Sequence, residues 1–329
     1  MAAIDAGSNT VHLVVARPDS GKQRLRAIAD DAEMVRLGAD VTAIGAIGPE
    51  RAQRAITAIR RQLELARAHG ATTILGIATE GVRRAANASA FLERVRAETG
   101  LSFTLISGEQ EASLAYWGAT SESPDTTGAR GVIDLGGGSL ELIVGAGEAI
   151  HWRASLPLGA GSVRASHLPT DPATLRELVA AYDAIRDHLR PLDIPLPVAD
   201  LTVCGGTATA LATMAGRALH KHAERRLPPV DPNAVALVSG RRRALTDASL
   251  DAVIRLLLRY DADELTRRYR LREGRAPLLL PGALTLFAGT ERFGADRLWV
   301  SRRGIREGAI VAWQRVGDGW LDAASAGRL

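Results

Sequence analysis

Cysteine, lysine, aromatic residues and long apolar runs are all scarce in this 329-residue chain. The single cysteine, Cys204, excludes an internal disulfide and any zinc site built from several thiolates. Lys22 and Lys221 are the only lysines, so 39 of the 41 basic side chains are arginines. With 5 Trp, 4 Tyr and 4 Phe, no stacking platform for nucleobases is evident, and no nucleic-acid partner is expected. The apolar uncharged stretch Ala276 to Thr290 carries prolines and glycines and is too short to span a bilayer. Asp5 interrupts the N-terminus before any apolar signal region forms. Together these absences lead to the expectation of a cytoplasmic protein with no membrane partner.

What is present reads as globular: 46% apolar and 24% charged residues, at a length that suits two domains. Arginine offers a planar fork for bidentate contacts to phosphate that an ammonium does not mimic. The clusters Arg225-Arg226, Arg241 to Arg243, Arg267-Arg268-x-Arg270-x-Arg272 and Arg302-Arg303 suit a polyanionic partner. They also suit plain solvated faces, and G+C-rich coding would raise the bulk arginine count by itself.

One segment occurs twice. "MAAIDAGSNTVHLVV" at the start and "GVIDLGGGSLELIVG" at 131–145 both read strand, aspartate, Gly-rich turn, strand. With Asp5 set on Asp134, Gly7 falls on Gly136, Val11 on Leu140 and Leu13 on Leu142. Glycine weakens a strand interior, but a backbone without Cβ atoms approaches a phosphate closely and turns successive N–H groups onto it. A duplicated hairpin of this kind suggests two halves built alike and facing one ligand.

The pattern around these hairpins alternates strands and helices. Strands are expected at about 2–5, 11–17 and 24–29, then a helix over "GPERAQRAITAIRRQLELARAHG" with Pro49 in its first turn and Gly70 as its stop. "TTILGIAT" is a strand, and "SAFLERVRAETG" a helix between Ser89 as N-cap and Gly100. After the strand "SFTLIS", the helix of "SGEQEASLAYWGA" opens on a capping box of Ser107 and Gln110. "SESPDTTG", 121–128, is the clearest linker. Beyond it strands run to about 156, a helix starts at Asp171, "LTVCG" is a strand, and helices continue to the end. The expectation is α/β, with domains at 1–122 and 123–329, each a mixed sheet carrying helices.

Several carboxylates and arginines sit where chemistry would need them. Asp134 and Glu141 flank the triple glycine and would repel a phosphate unless a hard divalent cation lay between; Glu141 is otherwise an outward strand residue. Glu109 and Glu111 occupy a first helical turn, where the helix dipole favours anions in any case. Arg83 and Arg84 follow a strand and read as phosphate clamps or surface charge. "VCGGTATALA", 203–212, forms a third strand–Gly–Gly–Thr–helix turn able to hold an anion at a helix N-terminus.

Taken in order, "IDAGSNTVHLVVA", "ATEGVRRAAN", "SGEQEASLAYWGA", "VIDLGGGSLELIVG", "LPLGAGSVR", "CGGTATALA" and "VSRRGIREGAI" resemble the exopolyphosphatase / guanosine pentaphosphate phosphatase (Ppx/GppA) family over nearly the whole chain. The resemblance implies two ribonuclease-H-like domains of the actin, sugar kinase and Hsp70 superfamily, with a cleft between them. It implies Mg²⁺-dependent hydrolysis of terminal phosphoanhydrides, with Mn²⁺ as a substitute. Glu111 then matches the general base; Asp134 and Glu141 match the metal-associated carboxylates. Arg83 matches the phosphate clamp, while Ser8, Asn9, Gly136, Gly137, Gly138 and Ser139 match the phosphate loops, with Gly206 and Thr207 at the third turn. Departures are Glu80, where the family more often has serine, Arg84, where it often has aspartate, and Ser162, an extra residue. The His-Asp-type domain that long members append is not expected here.

The expected substrate is inorganic polyphosphate, whose terminal orthophosphate is released; the alternative is pppGpp, converted to ppGpp. A homodimer is left open. Two rivals belong to other classes. An ATP-dependent sugar or acetate-type kinase fits the position of "CGGTATALA", and a non-enzymatic actin-like module fits the fold, though not the set Glu111, Asp134 and Glu141.

Overall fold

The structure is a computed structural model that describes residues 1–18, 25–121, 128–224 and 243–329, with the backbone alone at 218–224. Grouped by Cα proximity, the chain forms two compact units. The first holds Met1–Asp125, Gly147–Ser155 and Arg303–Leu329; the second holds Thr126–Ala146 and Leu156–Arg302. The boundary expected between 122 and 123 lies outside the described residues, as do most of the expected linker, the Arg225-Arg226 pair, Arg241 and Arg242.

In the first unit, β1 (Ala2–Ala6), β2 (Thr10–Pro18), β3 (Leu25–Met34), β4 (Ile74–Ala78) and β5 (Phe103–Leu105) lie in the order β3-β2-β1-β4-β5. β1 runs antiparallel to β2 and parallel to β4. A central strand covered on both faces needs apolar residues at every position, and β1 is apolar throughout except Asp5. Alternation divides its side chains. Ala2, Ile4 and Ala6 join Leu13, Ile56 and Ile59 in one buried cluster, the last two from α2 (Pro49–Ala68). Ala3 joins Val14, Ala16 and Ile310 on the other face, the last from α12 (Ile305–Val316). Helices α1 (Leu37–Ile44), α3 (Glu80–Arg83), α4 (Ala88–Thr99) and α5 (Gly108–Thr120) complete the N-terminal part. Strand β8 (Ala149–Leu156) is bridged to Arg328, just past α13 (Trp320–Ala326).

Helices α5 and α12 touch backbone to backbone. A Cβ on Gly308 would lie 1.8 Å from the Leu114 carbonyl oxygen, and one on Gly118 would lie 1.9 Å from that of Gly304. Neither neighbour is a flexible side chain that can swing away. Gly308→Ala is therefore expected to lower stability by about 3 kcal/mol through overpacking, read as a shifted urea midpoint. An unchanged midpoint would refute this packing.

In the second unit, β6 (Arg130–Leu135), β7 (Leu140–Ala146), β9 (Asp200–Cys204), β10 (Arg243–Thr246) and β11 (Arg297–Val300) follow the order β10-β11-β9-β6-β7. β6 pairs antiparallel with β7 and parallel with β9, which is parallel to β11. The run β7-β6-β9-β11 thus repeats β2-β1-β4-β5 in order and sense. Helices α6 (Ala160–His167), α7 (Leu175–Leu189), α8 (Gly206–Glu224), α9 (Asp247–Leu257), α10 (Ala262–Tyr269) and α11 (Leu279–Phe293) belong to this unit. The two units are α/β with mixed sheets, as the duplicated hairpin led one to expect.

Three local expectations need correction. Ser89 lies inside α4, not at its cap; Asn87 is the N-cap residue, and its side chain instead bonds both the N–H and the C=O of Ile47 at 2.9 Å. The helix expected from Asp171 starts at Leu175, because Thr174 and Glu177 form the capping box there. The stretch after Cys204 is not helical throughout, since β10 and β11 are four-residue strands too short to show a period.

Candidate active site

In the first unit the turn between β1 and β2 is closed by the Gly7 amide on the Thr10 carbonyl at 3.0 Å. The Asn9 carbonyl accepts from the amides of Val35 and Arg36, both at 2.9 Å, and the Ser8 carbonyl from Gly38 at 2.7 Å. These bonds fold residues 34–38 over the turn and hold its backbone. The Ser8 hydroxyl, buried, donates to Glu80 Oε2 at 2.7 Å. Glu80 begins α3, and Arg84 Nη1 donates to its Oε1 at 2.9 Å. The two departures from the family pattern therefore pair with each other.

Arg83 closes the same short helix. Its Nη1 donates to the Ile106 carbonyl at 2.6 Å and to Glu111 Oε2 at 3.3 Å. Glu111 is buried, with 4% of its surface exposed. The capping box places it there: Ser107 accepts from the Gln110 amide and the Gln110 side chain accepts from Ser107, which starts α5 at Gly108. Glu109 points elsewhere. Its side chain is 71% exposed and pairs with Arg153 at 2.9 Å.

His12 occupies the position in the first hairpin that Glu141 occupies in the second, since Asp5 pairs with His12 as Asp134 pairs with Glu141. The first hairpin thus has no second carboxylate in register. His12 instead bonds Asp30 at 3.0 Å. Burial pushes the imidazole below its ordinary value, and the nearby Arg306 adds to that. For Asp30 burial pushes upward, but the bonds and charges of His12 and Arg306 win and hold the carboxyl well below the usual range.

The second unit assembles its residues around the triple glycine. The carbonyls of Gly136, Gly137 and Gly138 are all taken by the start of α6: by Ala160 at 3.1 Å, by Gly161 at 2.7 Å, and by Gly159 at 3.2 Å. Ser162, the extra residue, adds its hydroxyl to the Gly138 carbonyl at 2.9 Å. A trans peptide points its N–H opposite its C=O, so the amides of Gly137, Gly138 and Ser139 face away from α6. The approach requires glycine at 159, where a Cβ would fall 2.4 Å from the Gly138 carbonyl carbon.

Asp134 and Glu141 are register partners on either side of this turn and both are buried. Gly205, at φ 102°, brings the β9–α8 turn onto β6, where a Cβ would sit 2.3 Å from the Leu135 carbonyl oxygen. This carries Gly206 and the buried Thr207 into the same neighbourhood. Arg275, which the sequence reading passed over, lies on that turn: a Cβ at Gly206 would be 2.9 Å from its Nη2, and its Nη1 reaches Thr207 Oγ1 at 3.5 Å. Burial and the charge of Arg272 push the guanidinium below its ordinary value. No ion pair joins Arg275 to a carboxylate among the described residues. The only local signal was an arginine just before the apolar run 276–290.

The donor set fits a hard divalent cation. Among the described residues no group of three or more His, Cys, Asp or Glu side chains gathers into a cage. Mg²⁺ does not need one, since it is commonly held by one or two carboxylates together with water and substrate phosphate.

Each of the two mixed-sheet units has an Asp-x-Gly hairpin as its first strand pair, and four strands follow one another in the same order and sense in both. The chain belongs to the Ppx/GppA phosphatase family, whose model matches residues 14–315. It is 30% identical over 328 residues to exopolyphosphatase 2 of Mycobacterium tuberculosis, covering 95% of this chain and 98% of that one. Exopolyphosphatase 1 of Mycobacterium leprae is 29% identical over 311 residues, covering 94% and 88%. The crystal structure of the Aquifex aeolicus member of the Ppx/GppA family is similar with a TM-score of 0.75 at 30% identity, covering 96% of this chain and 98% of that one. A phosphatase family is consistent with a divalent metal. No helix among the described residues is long and apolar enough to cross a membrane.

Proposed function

We propose that the chain is an exopolyphosphatase that hydrolyses the terminal phosphoanhydride of inorganic polyphosphate and releases orthophosphate. The observation that carries this reading is the buried Glu111 carboxylate, 3.3 Å from the Arg83 guanidinium. The exopolyphosphatase names of its relatives favour polyphosphate over pppGpp.

Glu111 takes a proton from the attacking water as the water oxygen bonds to the terminal phosphorus. The P–O bond to the next phosphate breaks, and its electron pair leaves with the shortened chain. Arg83 clamps a phosphoryl oxygen beside the base, supplying the fixed positive charge that such a transition state needs. Asn9 and the turn amides of Gly137, Gly138 and Ser139, opened by Gly136, bind phosphate oxygens, with Gly206, Thr207 and Arg275 at the third turn. Asp134 and Glu141 would hold Mg²⁺, or Mn²⁺ in its place, which neutralises charge on the phosphoryl oxygens. In sequence order we assign residues 1–122 as an N-terminal actin-like ATPase-type domain and 123–329 as a C-terminal actin-like domain, except that Gly147–Ser155 and Arg303–Leu329 return to the first unit. We assign the protein to the cytoplasm and allow a homodimer.

Phosphate release from long-chain polyphosphate and from pppGpp, measured side by side with Mg²⁺ and no acceptor, tests the reading. Polyphosphate is expected to be the better substrate by kcat/KM. Preference for pppGpp, or a requirement for an acceptor, would overturn it.

A further inference from the structure

We propose that Glu80 is the positioning residue of the first hairpin turn and acts through the Ser8 hydroxyl; this rests on the phosphohydrolase reading given above. Both oxygens of this buried carboxylate are engaged. Oε2 accepts the Ser8 hydroxyl at 2.7 Å, and Oε1 accepts Arg84 Nη1 at 2.9 Å. An O–H donated to an ionised carboxylate at that distance is a charge-assisted bond, stronger than one between neutral groups.

A serine has one proton to give. While Glu80 takes it, Ser8 Oγ presents lone pairs only, and so do the oxygens of an ionised phosphate. The Ser8 hydroxyl therefore tethers the turn and does not grip substrate, which leaves phosphate binding here to the backbone and Asn9. The surroundings are built for the tether. A Cβ on Gly81 would lie 2.5 Å from Ser8 Cα and 2.8 Å from its Oγ, so α3 approaches only because residue 81 is glycine. Gly38 also packs close, since a Cβ there would stand 3.0 Å from Ser8 Cβ.

The tether reaches the chemistry through α3. Glu80 is the first residue of this single turn and Arg83 the last, and Arg83 bonds the Ile106 carbonyl and Glu111. Fixing Glu80 to Ser8 fixes the start of the turn whose end aims the guanidinium. The exposed Arg84 pair adds little stability alone, but it orients the carboxylate so that Oε2 faces Ser8. A plain counter-charge would behave differently. Near a polyanion, a carboxylate that only repels would raise KM, and its removal would lower KM with kcat unchanged.

The experiment compares Glu80→Ala, Glu80→Gln, Ser8→Ala and the double Ser8→Ala/Glu80→Ala with saturating and limiting polyphosphate. Glu80→Ala and Ser8→Ala are each expected to lower kcat by about tenfold with KM within about threefold, as misaimed catalytic groups do. Glu80→Gln keeps one acceptor oxygen for the Ser8 proton and gives up only the bond to Arg84, whose exposed side chain turns to solvent, so it is expected to stay within about threefold of wild type in kcat. The double variant is expected to be no worse than about tenfold, because two residues acting through one bond are not additive. Additive loss, a Gln variant as poor as Ala, or an Ala variant with unchanged kcat and lowered KM would each overturn the proposal. Amide hydrogen exchange gives a readout without turnover: residues 7–9 and 80–84 are expected to exchange faster in Glu80→Ala than in wild type. Wild type that released no phosphate would defeat the polyphosphate reading alone, whereas unchanged exchange would defeat the role of Glu80.

Discussion

Chelation of divalent cations is expected to lower phosphate release at least about a hundredfold, since metal charge commonly supplies several kcal/mol at a phosphoryl centre, and added Mg²⁺ or Mn²⁺ to restore it. The reason lies in the β6–β7 hairpin. Asp134 and Glu141 face each other in register, both buried, on either side of the triple-glycine turn. Facing residues of an antiparallel pair have Cα atoms about 4.5–5.5 Å apart. Carboxylates so placed repel one another and any phosphate brought near them, and a divalent cation reverses the sign of both effects. Asp134→Asn keeps the shape and removes one charge, so the Mg²⁺ concentration for half-maximal rate is expected to rise at least about tenfold, in line with other lost metal contacts. The first hairpin is the internal control, because His12 stands where Glu141 stands in the second and is bonded to Asp30. Full turnover in excess EDTA, with bound metal shown absent, would end the metal assignment.

Much of this arrangement was legible because it is local. The Asp-x-Gly hairpins repeat within fifteen-residue windows, and glycine at 7 and at 136–138 marks backbone that must turn tightly. The capping box of Ser107 and Gln110 is a three-residue relation, and it fixed the start of α5 and thereby the direction of Glu111. The missed features are long-range. Ser8 meets Glu80 across 72 positions, and Arg275 meets Thr207 across 68. Neither contact leaves a period or a spacing to read. Glu80 and Arg84 looked like two separate departures from the family pattern, although their i,i+4 spacing is the local one of a helical ion pair, and the structure joins them. The packing of Ile305–Val316 on α5 was equally invisible, because the glycines that permit it, Gly118 and Gly308, lie 190 positions apart in the sequence. Short strands β10 and β11 failed for another reason: four residues cannot display alternation.

Glu111→Gln is expected to lower kcat by at least about a hundredfold, the range a general base contributes, while polyphosphate still binds. The substitution keeps the shape of the side chain and removes the proton acceptor. Glu109, two residues earlier, is the competing carboxylate, and about 200° of helical rotation separates the two. The structure divides them as that rotation requires. Glu111 is buried against Arg83 at 3.3 Å, whereas Glu109 is exposed and paired with Arg153 at 2.9 Å. Burial beside a guanidinium suits a base that must stay ionised without bulk water around it. An exposed ion pair at a helix start is a matter of stability, typically about 0.3–1 kcal/mol. Glu109→Gln is therefore expected to keep near wild-type kcat and KM and to lose at most a little thermal stability. Arg153 also donates to Ser113 Oγ and to the Ala324 carbonyl, so it stays anchored when Glu109 is gone. Both variants would be checked for folding by circular dichroism and assayed with saturating polyphosphate and Mg²⁺. A fully active Glu111→Gln, or a Glu109→Gln that loses a hundredfold in kcat, would show that the base has been assigned to the wrong face of α5.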